Sequence, residues 1–221
     1  MALDLRFGAL PQPARQRRDP FVAVDRHQAL HLLQEGNRRF VAGALADRTD
    51  ETPETRRALA ERGQFPFAVI VGCSDARVPP EIVFDVGLGQ LFVIRTAGNL
   101  VDPFVLGSVE FAVGTLGARL VVVLGHRECG AVAGAIAGGD HGPNLAAIIA
   151  EIQPSLDKVR LTGDPGDVAR RCEDENIRHS LARILACPRL AEDAATGAIA
   201  LVGAKYDVAS GRVDWWESVS D

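Results

Sequence analysis

The sequence predicts an α/β fold: a mostly parallel central sheet flanked by helices, with a helical arm at the N-terminal end. From residue 67 onward, short apolar runs alternate with longer stretches of helical character. The runs are continuous instead of alternating polar with apolar, as strands covered on both faces require. Strands that alternate with helices in this way build a mostly parallel sheet.

The elements follow in order. Residues 1–24 contain Pro11, Pro13, Pro20 and several arginines without periodicity, and read as an extended arm. Residues 25–221 read as one α/β domain that includes an N-terminal helix. That helix is predicted over 25–43: Asp25 supplies a cap, Leu30, Leu33 and Phe40 share a face, and Gly43 ends it. A polar connection runs on to residue 62. Strands are predicted at 67–71, 91–94, 120–124 and 199–202, and a last one at 211–216. Helices are predicted at 80–84, 103–116, 130–136, 144–159 and 168–185. No internal repeat or low-complexity tract interrupts this order.

With 221 residues, 47% of them hydrophobic and 24% charged, the chain buries one substantial core. A net charge of -5 argues against a polyanion binder, so nucleic acid is not an expected partner. The longest apolar stretches, such as 120–125, are too short to span a bilayer, and no charged segment followed by a long apolar one opens the chain. No membrane partner is expected and the location is read as cytoplasmic. Arg17-Arg18 resembles half of a twin-arginine signal, but Asp25, Arg26 and His27 interrupt the apolar region that should follow, which leaves a solvated arm.

The four cysteines are Cys73, Cys129, Cys172 and Cys187. A chain of this size has no need of disulfide staples, so metal binding or catalysis is the better use for any cysteine that clusters with other ligands. Cys73-Ser74-Asp75-Ala76-Arg77 follows the strand at 67–71, and Gly125-His126-Arg127-Glu128-Cys129-Gly130 follows the strand at 120–124. In open α/β sheets ligands bind beyond the carboxyl ends of the strands, where two such segments converge. Cys73, His126 and Cys129 could share one ion there, and two thiolates with one imidazole suit zinc. Three protein ligands leave the fourth position open for a water, the mark of a catalytic zinc. A closed structural site, with Asp75 or a distant cysteine as fourth ligand, stays open as the alternative. Cys172 and Cys187 are expected to lie in helices as small apolar groups.

The run from Cys73 to Glu81, then Phe92-Val93-Ile94-Arg95-Thr96-Ala97-Gly98-Asn99, then the segment from Gly125 to Gly130, resembles the β-carbonic anhydrase family. The likeness extends from Glu35-Gly36-Asn37-Arg38-Arg39-Phe40 to Tyr206-Asp207. It departs from the family at Ala76, where serine is usual. The resemblance implies one Zn2+ per chain on Cys73, His126 and Cys129, and reversible hydration of carbon dioxide to bicarbonate by zinc-hydroxide attack. Asp75 and Arg77 would be the catalytic pair, the arginine holding the carboxylate off the metal so that it orients the hydroxide. The implied substrate contacts are Gln64, nine residues before Cys73, and Phe92, Ala97, Gly130 and Phe111, the last from a second subunit. A homodimer or a larger dimer-based assembly is implied as well.

Two functional alternatives remain: hydrolysis of carbonyl sulfide or carbon disulfide on the same ligands, and non-enzymatic zinc binding. Asp75, Arg77 and Gln64 speak against the second, because a structural metal needs no proton-handling pair. Some family members also carry a separate bicarbonate pocket made from a tryptophan, an arginine and a tyrosine. Arg95 and Tyr206 match, but Ile70 stands at the tryptophan position, so that pocket is expected to be absent. Gly87-Leu88-Gly89 precedes a strand and is no dinucleotide loop. His27, His31 and His141 are expected to be surface residues.

Overall fold

The computed structural model describes residues 23–46, 52–161 and 167–216. Nearly all of the arm expected at 1–24, with Arg17-Arg18, lies outside the described residues. Within them the order is α1 (Arg26–Val41), α2 (Pro53–Arg62), β1 (Ala68–Cys73), α3 (Pro80–Val83), β2 (Leu91–Thr96), α4 (Pro103–Gly114), β3 (Leu120–His126), α5 (Gly130–Ala137), α6 (Gly142–Leu161), α7 (Val168–Leu185), α8 (Pro188–Ala195), β4 (Ala200–Tyr206) and β5 (Val213–Trp215).

The five strands form one sheet in the order β2-β1-β3-β4-β5. All neighbours are parallel except β4 and β5. Every residue of β1, β3 and β4 is buried, which accounts for their unbroken apolar runs. The two-residue period divides those runs between two cores. Ala68, Ile70, Leu120, Val122 and Leu124 face a cluster that includes Leu33 of α1 and Phe84. Val69, Val71, Val121 and Val123 face one that includes Val109 of α4, Ile177 of α7 and Leu190 of α8. β1 lies between β2 and β3, so the chain leaves it to one side and comes back to the other. That reversal opens a crevice at the carboxyl ends of β1 and β3.

Two segments differ from the sequence reading. The polar connection contains α2, which buries no residue and therefore shows no apolar stripe; its signals are the Thr52 cap and Pro53 in the first turn. α8 begins in the same way, with Pro188 in its first turn. Cys187 is the N-cap of α8 and not a helical core residue; half-buried, it donates its S–H to Glu110 Oε1 at 3.3 Å. The strands also run past their apolar stretches, because the backbone ladder continues through Gly72↔Arg95 and Cys73↔Thr96, and through Gly125↔Lys205 and His126↔Tyr206. Cys73 and His126 are thus the last residues of β1 and β3, not loop residues after them.

Asp25 caps α1 in a full capping box with Gln28. Buried Asn37 then ties α1 to the sheet: Nδ2 donates to Val83 O at 3.2 Å and Gly211 O at 2.8 Å, and Oδ1 accepts from Val213 N at 3.0 Å. One residue earlier, a Cβ on Gly36 would stand 1.7 Å from the carbonyl oxygen of Phe84. Backbone against backbone cannot be relieved by a rotamer change. Gly36→Ala is expected to destabilise the fold by about 3 kcal/mol, the upper end for overpacking, as read from a chemical denaturation midpoint; an unchanged midpoint would mean that α1 does not pack this closely.

Candidate metal centre

The last rungs of β1 and β3 deliver Cys73 and His126 to the crevice, and the turn into α5 delivers Cys129 as that helix's N-cap. Their candidate ligand atoms all lie within 4.8 Å of one another, and the three residues are buried. No other group of three or more His, Cys, Asp or Glu residues among the described residues is arranged to hold a metal. Cys172, though buried nearby, is not in the group, and Cys187 lies elsewhere.

The imidazole is prepared as a ligand. Nδ1–H of His126 donates to the carbonyl oxygen of Arg127 at 2.9 Å, which leaves the lone pair on Nε2. Nε2 is buried without a hydrogen-bond partner, in the company of two sulfurs. An orphaned nitrogen of this kind is costly unless it binds something. The Cys73 thiol is held well below its usual range, mainly by a hydrogen bond from Cys129, against the opposing effect of burial, with help from His126 and the Gly98 amide. Cys129 is pushed up by the same shared proton and by burial. Burial pulls the His126 pKa down, but contact with the Cys73 sulfur outweighs it and the net shift is upward. Two buried sulfurs thus lie beside an imidazole nitrogen that has no hydrogen-bond partner. A divalent cation fits this donor set, and two sulfurs with one nitrogen match zinc.

Asp75 and Arg77 form a two-pronged pair at the rim. Arg77 donates from its backbone N at 2.8 Å and from Nε at 3.0 Å to Asp75 Oδ1, and from Nη2 to Oδ2 at 2.8 Å. Asp75 Oδ2 faces the cluster, 3.9 Å from His126 Nε2. Two features absent from the sequence reading fix this pair. Glu128 adopts a left-handed φ of 58° and offers its carbonyl oxygen to Arg77 Nη2 at 3.1 Å. Arg95, noted only as part of a possible anion pocket, donates from Nε to Cys73 O at 2.9 Å and from Nη2 to Asp75 O at 2.6 Å. Ile70 and Tyr206 are buried in the apolar core beneath.

The Arg77 hydrogen bonds lower the Asp75 pKa from 3.8 to about 2, against a smaller desolvation effect. A depressed carboxyl contributes stability that is present above its unfolded value and lost as pH falls from there through the folded value. The Asp75 charge is therefore expected to persist to below pH 3.8 in the folded protein and to titrate closer to that ordinary value in Arg77→Ala. Carboxyl carbon shifts followed by NMR against pH check this; coincident titrations would remove Arg77 as the cause.

The expected substrate contacts are not gathered at this rim within one chain: Gln64 precedes the amino end of β1, and Phe92 pairs with Val69, four rungs from Cys73. Gln64 is exposed just before β1, and Gly130 is exposed at the first turn of α5. Ala97 is half-buried after β2. Phe92 and Phe111 of the same chain are in contact, ring centroids 6.3 Å apart. His27 and His31 are exposed on α1, as expected, and His141 is partly covered, with Nε2 2.9 Å from Gly138 O.

The sequence profile described as carbonic anhydrase matches residues 68–213. The "Carbonic anhydrase" of Mycolicibacterium smegmatis is 38% identical over 196 residues, covering 87% of this chain and 94% of that protein. "Carbonic anhydrase 2" of Mycobacterium tuberculosis is 40% identical over 187 residues, covering 83% and 89%. Among solved structures, a tetrameric β-carbonic anhydrase of Sordaria macrospora superposes with a TM-score of 0.68 at 24% identity, covering 84% of this chain and 95% of that one. The Coccomyxa β-carbonic anhydrase in complex with acetazolamide gives 0.68 at 24%, covering 86% and 88%.

Proposed function

The chain belongs to the β class of the carbonic anhydrase family, and from that footing we propose that it hydrates carbon dioxide reversibly at a zinc held by Cys73, His126 and Cys129. The observation that carries the reading is the buried, unpartnered Nε2 of His126 between two cysteine sulfurs. Bound there, zinc would supply the Lewis acidity that turns water into a nucleophile near neutral pH.

This chain's residues do the rest. The Nδ1–H bond to Arg127 O holds the imidazole in the metal-binding tautomer. Arg77 keeps Asp75 charged and turned to the guanidinium, so that the carboxylate accepts a hydrogen bond from the attacking water or hydroxide and orients it, and does not serve as a fourth ligand. From the family resemblance we carry over Phe92, Ala97 and, from a second subunit, Phe111 as an apolar approach for an uncharged substrate, and Gln64 and Gly130 as polar groups for the anionic product. With both Nε and Nη2 of Arg95 engaged by carbonyls and Ile70 buried at the position where a tryptophan would be needed, we expect no second bicarbonate pocket.

We take 25–221 as one functional unit, and a homodimer or an assembly of dimers as its working form. In support, α4 presents Phe104, 85% exposed, and Phe111, 47% exposed, two turns apart on one face. Sedimentation equilibrium reads the assembly size directly. No helix among the described residues is long and apolar enough to cross a membrane; we keep the cytoplasm as the proposed location. Stopped-flow carbon dioxide hydration on protein of known metal content tests the activity, with carbonyl sulfide and carbon disulfide as parallel substrates. Zinc-loaded protein that turns over only the sulfur compounds would overturn the proposal.

A further inference from the structure

Helix α7 places Glu173, Asn176 and Ser180 at spacings of three and four residues, all of them buried. Residues so spaced share one helix face, and this face meets the loop after β2, whose Gly98 amide touches the Cys73 sulfur, and the turn that carries Cys129. Asn176 Nδ2 donates to the carbonyl oxygen of Gly98 at 2.7 Å, and the amide of Gly98 donates to Cys73 Sγ at 3.3 Å. Ser180 Oγ donates to Asn99 O at 2.9 Å. Three residues before Asn176, the Glu173 carboxylate accepts the backbone N–H of Cys129 at 3.4 Å. Its other oxygen is held at 2.9 Å by Lys205 Nζ, which Asp174 and the Arg170 carbonyl also engage.

The loop so gripped is not one that the backbone adopts freely. Gly98 and Asn99 have φ of 78° and 47°, two consecutive left-handed residues. The carbonyl held by Asn176 and the amide aimed at the Cys73 sulfur lie on either side of Gly98, so fixing one constrains the direction of the other. α7 comes close enough because β3 has Gly125 immediately before His126; a Cβ there would stand 2.5 Å from Ile177 Cγ1. The polar face is an expensive way to pack a helix. Asn176 Oδ1 is buried with no hydrogen-bond partner, and a buried Lys–Glu pair adds little to stability over apolar side chains of similar volume. Packing does not explain its presence.

We propose that Asn176 and Glu173 are positioning residues: α7 clamps the Gly98 and Cys129 backbones and thereby aims both sulfurs at a single ion. This rests on the reading of Cys73, His126 and Cys129 as the zinc site. The readouts are zinc affinity, by competition with a chromophoric chelator, and the thiolate charge-transfer band of the cobalt(II)-substituted protein. Asn176→Ala and the nearly isosteric Asn176→Asp, which cannot donate to Gly98 when ionised, are expected to weaken zinc by about 10- to 100-fold, the usual range for outer-shell partners, and to shift the band. Glu173→Ala is expected to do the same, and Glu173→Gln, which keeps an acceptor for the Cys129 amide, to retain wild-type affinity. Asn37→Ala, which removes buried hydrogen bonds to Val83, Gly211 and Val213 and none to the Gly98 or Cys129 backbones, should lower the melting temperature and leave both readouts unchanged. If Asn176→Ala does not fold, Asn176→Asp carries the test. Wild-type affinity and spectrum in the Asn176 variants would overturn the clamp, as would equal losses in Asn37→Ala, which would make the effect one of general stability. Absence of zinc binding by the wild type would refute the metal site itself, a result distinct from either.

Discussion

Alanine at Cys73, at His126 or at Cys129 is expected to lower bound zinc from about one per chain to a trace and to bring carbon dioxide hydration down to the buffer rate, because each residue supplies a third of the protein's coordination. The loss should be severe at all three positions for one structural reason. The ligands are buried, and their candidate donor atoms all lie within 4.8 Å of one another. Removing any of them leaves the other two without a ready replacement: Asp75 faces the cluster but is tied to Arg77 by two prongs, and Cys172 is outside the cluster. Cys172→Ser and Cys187→Ser should keep full zinc content. Metal analysis after exhaustive dialysis, paired with stopped-flow hydration, reads both sides. Full occupancy in a single-ligand variant would remove that residue from the set, and loss in Cys172→Ser would place the metal elsewhere.

How much of this was legible in the sequence depended on where each side chain spends its chemistry. The strands of the sheet announced themselves because both of their faces are covered, so that Val69, Val71, Val121 and Val123 sit beside Ile70, Val122 and Leu124 with no polar residue between them. The ends of the strands did not, because Gly72, Cys73, Gly125 and His126 break the apolar run while the ladder continues in the backbone. That difference matters to the site: Cys73 and His126 are held by sheet hydrogen bonds instead of loop conformation. α2 was invisible to periodicity because it buries nothing.

The supporting residues were harder still. Glu128 acts through its backbone carbonyl and a left-handed φ, Gly98 through its amide, and neither has a side-chain signature. Glu173, Asn176 and Ser180 did leave a trace, a polar stripe at helical spacing beside Ile177, Leu181 and Ile184, which are buried. Lys205 left another, as a lone cation in an apolar strand. Read as sequence, both look like an ordinary solvated face; only the fold turns them inward toward the sulfur loops.

Asp75→Asn is expected to keep its zinc and lose about 10²- to 10⁴-fold in kcat/KM, the range associated with a positioned proton-handling group. Asparagine keeps the shape of the side chain but replaces one acceptor oxygen with an N–H donor. One of the Arg77 bonds, 3.0 Å from Nε or 2.8 Å from Nη2, would then face donor against donor. The amide also has no charge to answer the guanidinium, so the side chain loses its fixed direction toward the cluster. Because the affected interaction serves the reacting water more than the binding of an uncharged gas, the fall should appear mainly in kcat. Arg77→Ala should be inactive by a second route. It frees the Asp75 carboxylate, which starts 3.9 Å from His126 Nε2, to turn toward the ion and occupy the position that water needs. The two variants are therefore distinguishable: in cobalt-substituted protein Arg77→Ala should show an altered coordination spectrum and Asp75→Asn a near-native one. Turnover close to wild type in both, at full zinc content, would remove the pair from the mechanism.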